Sequence, residues 1–117
     1  MSIQKRALEL GVEIGKSGEF KSARRAEEAL AKESDLKQLM GEMQALQDQA
    51  IGMRSRGTPL PEGMVKKVEA LQMKIEAHST YQQFVASQAN LQKLMERVNK
   101  TIGQGMEKGL DKKIITL

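Results

Sequence analysis

The sequence predicts an all-α protein of about five helices, with a long antiparallel helical hairpin, in a helical bundle that homodimerisation completes. Three observations predict this fold class. The 117 residues include two phenylalanines, one tyrosine and no tryptophan against eight methionines, a composition that favours packed helices over a β-sandwich. Both prolines, Pro59 and Pro61, lie in one loop. Apolar residues recur at spacings of three and four on both sides of that loop.

The first segment fits two patterns. In ALELGVEIG the apolar residues alternate as they do in a strand. The same region also forms one helical face, made of Ile3, Ala7, Leu10 and Ile14. We expect a helix, because Ser2 suits the N-cap position and good helix formers follow it. Gly11 and Gly15 either let another helix approach closely or mark a weak helix that frays toward its end.

Two further helices are predicted before the loop. Residues 19–33 form a short amphipathic helix, and a third helix runs to about Arg56. Ser34 suits the N-cap of this third helix, and Asp35 would meet the positive end of the helix dipole in the first turn.

The hairpin is predicted from matched spacing around the GTPLPEG turn, where a glycine ends one helix and Pro61 suits the first turn of the next. The helix before the turn carries Leu39, Met43, Leu46, Ala50 and Met53 at this spacing. The helix after it carries Met64, Val68, Leu71 and Ile75 and ends near 77–78. The two can therefore pack antiparallel, with side chains of one filling gaps in the other.

The fifth helix carries the predicted interface. Ser79 or Thr80 is expected to cap it, and it is expected to end at Ile102. Its seam begins at Tyr81 and continues through the interface candidates Phe84, Gln88, Leu91, Met95, Val98 and Ile102. This surface exceeds what one short hairpin covers, so it predicts a homodimer or a higher homo-oligomer. Gln88 either fixes the register of the associating helices or lies at the edge of the seam, bonded to water.

The sequence is accordingly divided into a helical domain at 1–102 and a glycine-containing tail at 103–117. Within the domain, Met73 falls outside the main face of its helix. It either belongs to a second contact surface or is an isolated exposed side chain.

Chemistry-bearing motifs are scarce, and the sequence predicts that the protein is not an enzyme. Without cysteine, thiolate catalysis and cysteine-based metal sites are excluded. His78 is the single histidine, and we interpret it as structural or solvent-exposed, since no second histidine could share a metal or complete a triad. The glycines of GQGMEKG follow no predicted strand and match no phosphate-binding loop. We therefore expect no catalytic residue, metal or cofactor.

Charge patterning limits the partners. The net charge of +4 is spread along the chain without a basic block, so we expect no DNA binding. Weak RNA contact through Lys93, Arg97, Lys100 and the tail lysines is an alternative. The charged first twenty residues fit no signal peptide and no run reaches membrane-spanning length, which predicts a cytoplasmic protein.

Several stretches together resemble the YlbF/YmcA family of small bacterial helical proteins, in particular its YheA-like members, from Ala7 to Ile102. They are ALELGVEIGKSGEFKSARRAEEAL, ESDLKQLMGEMQALQ, the GTPLPEG turn and VEALQMKIEAHSTYQQFVASQANLQKLMERVNKTI, in that order. The resemblance implies an all-helical, oligomeric regulator. It also implies a link to RNase Y in messenger RNA processing, and so to competence, sporulation or biofilm formation. The iron–sulfur clusters that some relatives hold through cysteines do not carry over. A paralogue of unknown function, outside the complex through which those relatives assist RNase Y, is the alternative.

Overall fold

The computed structural model describes the backbone of residues 2–116 and the side chains of residues 2–110. This part of the chain contains five α-helices and no strand. They are α1 (Ile3–Lys16), α2 (Gly18–Lys32), α3 (Ser34–Ser55), α4 (Glu62–Ala77) and α5 (Ser79–Thr116). The predicted all-α fold with about five helices is confirmed, and the first segment is a helix rather than a strand.

The chain divides into two compact units. The terminal unit comprises residues 1–23 and 87–117, and the hairpin unit comprises residues 24–86. The predicted division into a domain at 1–102 and a tail at 103–117 stays a prediction.

The hairpin unit contains most of the fully buried apolar side chains. In it, α3 and α4 pack against each other, as their matched spacing predicts. Leu36 is completely buried, and Leu71 and Ile75 on α4 are nearly so. The other seam residues of both helices, including Met43 and Val68, are half-buried. The hairpin therefore has a small core of its own and a wider margin that solvent reaches.

The turn between α3 and α4 begins with a Schellman motif. The Thr58 N–H donates to the Met53 carbonyl at 2.9 Å, and the Gly57 N–H donates to the Arg54 carbonyl at 3.0 Å. Gly57 has a φ of 72°, in the left-handed region that favours glycine. The two prolines follow and prevent the helix from continuing. Pro61 itself takes the N-cap position of α4.

Replacing Gly57 by alanine is expected to lower the free energy of unfolding by about 1 kcal/mol, because a residue with a Cβ is strained in that conformation. Chemical denaturation followed by circular dichroism measures the change. Gly63→Ala is the control, since a Cβ at this position in the first turn of α4 meets no atom within 4 Å. Equal destabilisation by both substitutions would contradict this account of the turn.

The predicted N-cap of α1 is confirmed, and the predicted N-cap of α3 is wrong. Ser2 caps α1, because its Oγ accepts from the Lys5 N–H at 3.0 Å. The prediction that Ser34 caps α3 is wrong, since Glu33 is the N-cap residue, although Asp35 does lie in the first turn. Glu33 is the single residue between α2 and α3, and it takes the N-cap position of α3. Its carbonyl accepts from the Lys37 N–H at 3.0 Å.

The predicted end of the fifth helix at Ile102 is also wrong, because α5 continues to Thr116. Each glycine after Ile102 costs a helix about 1 kcal/mol relative to alanine. Good helix formers separate these glycines, and no proline interrupts the segment. The helical hydrogen bonds therefore continue through it.

The terminal unit contains α1, the start of α2 and most of α5. Leu10 of α1 lies beside Val98 and Ile102 of α5, around an open concavity of about 230 Å³. Arg97 on α5 pairs with Glu19 on α2 at 3.5 Å. No residue of α1 is fully buried, and Ala23 is the one fully buried apolar residue among the described side chains of this unit. The terminal unit thus covers little of its own apolar surface.

Candidate protein interaction site

The six predicted interface residues all lie on α5. Their side chains remain partly accessible within the single chain: Phe84, Gln88, Leu91, Met95 and Val98 are half-buried, and Ile102 is 45% exposed. Their role in an interface stays a prediction.

Charge is segregated around α5. Between Phe84 and Met106 the charged residues are Lys93, Glu96, Arg97 and Lys100. At 3.6 residues per turn these four fall on the side of the helix opposite Ile102. The side that bears Met95 and Ile102 therefore carries no charge that a docking helix would have to desolvate.

Two ridges of the terminal unit include exposed apolar side chains. Along α5, Met106 (71% exposed) and Leu110 continue the line that Met95 and Ile102 begin, and these four residues are called the α5 ridge. On α1, Leu8 and Val12 lie four residues apart and are also exposed. These two are called the outer ridge of α1, and Ile3 near the start of the helix is exposed as well. Large contiguous patches of exposed apolar side chains are typical of interaction sites, so these ridges are candidates.

The hairpin unit has an open groove of about 430 Å³ between α3 and α4. Its apolar lining consists of Ala50, Ile51, Leu60, Met64, Val65 and Val68, and Arg54 and Glu69 are among its polar residues. Met73 lies outside this groove and is 71% exposed, so both interpretations of that residue stay open.

The structure assigns His78 a role that its sequence position did not predict. It is the single residue between α4 and α5, and its Nδ1 accepts from the Thr80 N–H at 3.3 Å. Its carbonyl accepts from the Gln82 N–H at 3.0 Å. The expectation that Ser79 or Thr80 caps α5 is therefore wrong: His78 caps the start of α5 and also ends α4.

The cap is tied to the junction of α2 and α3. The Thr80 hydroxyl donates to Glu33 Oε1 at 3.3 Å, and the Nε2 atom of His78 lies 3.9 Å from Glu33 Oε2. Because Nδ1 accepts a hydrogen bond, the ring hydrogen belongs on Nε2, the atom nearest the carboxylate. Sequence analysis could not find this cluster, because Glu33 and Thr80 are 47 positions apart.

Replacing His78 by alanine is expected to lower the free energy of unfolding by about 1 kcal/mol, because the Thr80 N–H loses its acceptor. Thermal and chemical denaturation would measure the loss. His78→Asn is the matched variant, since asparagine supplies a capping oxygen and should recover most of the stability. If His78→Asn were as destabilising as His78→Ala, the capping role would be wrong.

The residues considered for RNA contact form no unopposed basic patch. Arg97 is paired with Glu19 at 3.5 Å, and both line an open concavity of about 400 Å³ together with Lys93. A carboxylate at this position opposes the approach of a phosphate. Tail lysines 112 and 113 lie outside the described side chains.

Other kinds of site were sought among the described residues. No group of three or more histidine, aspartate or glutamate side chains in that part of the chain could hold a metal ion. None of the helices described combines the length and apolar character needed to cross a membrane.

Five helices and no strand in the described part of the chain define the class of this protein, which is all-α. The family model described as "Control of competence regulator ComK, YlbF/YmcA" matches residues 3–107. The chain belongs to the YlbF/YmcA family, which confirms the resemblance seen in its sequence. It is also similar to UPF0342 protein DSY1594 of Desulfitobacterium hafniense (strain Y51), at 22% identity over 104 residues, which cover 89% of this chain and 79% of that protein.

Proposed function

We propose that the protein is a non-enzymatic regulatory subunit that acts as a cytoplasmic homodimer and contacts other proteins. The observation that carries this proposal is the charge-free α5 ridge, where Met106 is 71% exposed and Leu110 54% exposed. The family description, control of the competence regulator ComK, supports a regulatory role. The dimer interface includes Phe84, Gln88, Leu91, Met95, Val98 and Ile102.

The regulated process is RNA processing, in which the protein is an accessory factor linked to RNase Y. Competence, sporulation or biofilm formation would respond through altered processing of messenger RNA. The family description, which names control of competence, supports the competence part of this proposal. The RNase Y link rests on the resemblance described in the sequence analysis. The chain itself contributes helical surfaces for protein contact.

The test replaces the chromosomal gene in its host with a gene for a variant protein. Met95→Asp places a carboxylate on the α5 ridge. Lys93→Asp, on the charged side of the helix, is the control. We expect Met95→Asp to reduce co-purification with RNase Y and to change ComK abundance, and Lys93→Asp to leave both at wild-type levels. Failure of the wild-type protein to co-purify with RNase Y, together with unchanged ComK abundance in a deletion of the gene, would contradict the RNase Y link.

Direct RNA binding is the second candidate, with Lys93 and Lys100 as its cations on the side of α5 that also bears Glu96 and the Arg97–Glu19 pair. A phosphate-driven mode weakens steeply as salt concentration rises. Binding of a single-stranded RNA that stayed constant between low and moderate salt would exclude this mode.

A further inference from the structure

The open groove between α3 and α4, called the hairpin groove below, has an apolar centre. Ile51 of α3 and Val65 of α4 both line it and are 62% and 42% exposed. Met64 and Val68, which also line it, are half-buried. All of the lining residues belong to the hairpin unit. The hairpin therefore presents a short apolar strip that another molecule can reach.

Two charged residues of opposite sign lie among the described residues that line the hairpin groove, Arg54 and Glu69. Arg54 is the next-to-last residue of α3, so it lies at the end of the groove nearest the turn. Glu69 is seven positions into α4, about 10 Å from the start of that helix. Both residues are exposed, and within the described part of the chain neither side chain forms an ion pair. The groove thus carries a positive charge at one end and a negative charge farther along.

The apolar centre lies midway between these two charges. Ile51 is four residues before the end of α3, and Val65 is three residues after the start of α4. Both therefore lie about 5–6 Å along the hairpin from the turn, whereas Arg54 lies at about 2 Å and Glu69 at about 10 Å.

This arrangement of charges is complementary to itself. A two-fold axis that crosses the groove at Ile51 and Val65 reverses the direction of the second copy and sets like residues on the axis face to face. Arg54 of each copy then lies at the same level along the hairpin as the partner's Glu69. Two equivalent ion pairs can form, one at each end of the apolar centre. A groove with charges of a single sign would instead repel its own copy.

We propose that the hairpin groove is a contact between two copies of this chain, packed antiparallel about a two-fold axis. Ile51 and Val65 meet their counterparts at its centre, and Arg54 pairs with the partner's Glu69 at both ends. Burial of the apolar centre drives the association, and the ion pairs mainly fix its register. The contact shares no residue with the α5 interface proposed above and does not depend on it. Where both contacts form, they join dimers into a higher even oligomer.

Disulfide crosslinking tests the contact directly. The chain has no cysteine, so a single introduced thiol reports on one position. Ile51→Cys places that thiol beside the two-fold axis, where it can reach its counterpart in the partner. Met73→Cys is the control, because Met73 is 71% exposed on α4 but lies outside the groove. During oxidation by copper phenanthroline at micromolar protein concentration, Ile51→Cys should form the linked dimer at least ~10-fold faster than the control, as gels run without reductant would measure.

A charge exchange tests whether the occupant of the groove is a second copy. In the Ile51→Cys protein, Arg54→Glu places two carboxylates at each end of the contact, and Glu69→Arg places two cations there. Each change alone should slow crosslinking at least ~10-fold. The protein with both changes regains opposite charges at each end and should recover to within about threefold of the starting rate. Circular dichroism checks that the helices remain in every variant.

Two results would overturn the inference. Equal crosslinking rates for Ile51→Cys and Met73→Cys would mean that the groove meets its own copy only by random collision. If both charge variants slowed crosslinking without recovery when combined, the groove would pack against a surface other than its counterpart. In either case the groove would be left to a different protein. The α5 interface would be unaffected by both results, since Met95→Asp tests it separately.

Discussion

Replacing Leu36 by alanine is expected to lower the free energy of unfolding by about 3 kcal/mol. Leu36 is fully buried in the hairpin unit, where only Leu71 and Ile75 accompany it among the fully buried apolar residues described. Truncation removes the transfer free energy of the side chain and leaves a cavity in a core too small to compensate. Because a domain of this size is stabilised by only about 5–15 kcal/mol, the loss is a large fraction of the total.

Urea denaturation at one fixed protein concentration measures this effect, since association also contributes to apparent stability. Met73→Ala is the control within the same unit. That side chain is 71% exposed, so its removal should change the free energy of unfolding by less than about 0.5 kcal/mol. Similar losses in the two variants would show that Leu36 is not the centre of the hairpin core.

Replacing Met95 by aspartate is expected to raise the dimer dissociation constant at least ~100-fold. Met95 is half-buried, on the side of α5 that bears no charge. A second copy that covers this position would have to desolvate the new carboxylate without a partner for it, which costs several kcal/mol. In the separate chain the carboxylate can reach solvent, so helix formation should be little affected.

Light scattering across a dilution series measures the dissociation constant, and circular dichroism reports the helix content. Lys93→Asp, on the opposite side of α5, is the matched control and should dimerise as the wild type does. If Met95→Asp dimerised as tightly as this control, the α5 ridge would not be part of the interface.

The fold could be predicted where local chemistry and helix periodicity agree. The spacing of three and four residues around the turn, with Gly57 and both prolines inside it, predicts two antiparallel helices, and the structure confirms them. Ser2 also caps its helix as expected, because an N-cap depends on neighbouring residues alone.

The predictions failed where a contact between residues far apart in the sequence decides the structure. They also failed where the structure depends on the sum of small helix propensities. His78 caps α5 beside Glu33 and Thr80, and no local pattern announces that arrangement. The helix end at Ile102 was placed by counting glycines, whereas the helix formers between them carry α5 to Thr116.

The candidate site was predicted in part. Seam spacing located six residues on α5, and the structure leaves them partly accessible. Seam spacing did not indicate Met106 or Leu110, which lie beyond the predicted helix end. Only the structure shows that Leu10 lies beside α5 with 38% of its surface exposed, whereas Leu8 is 71% exposed.

The central claim is that this chain exposes more apolar helical surface than it can cover and that a second copy covers it. Multi-angle light scattering on the wild-type protein, eluting from a sizing column at micromolar concentration, tests this claim most directly. The account predicts a particle of twice the 13.0 kDa chain mass, or a higher even multiple. A single species of 13.0 kDa with native helix content would contradict it.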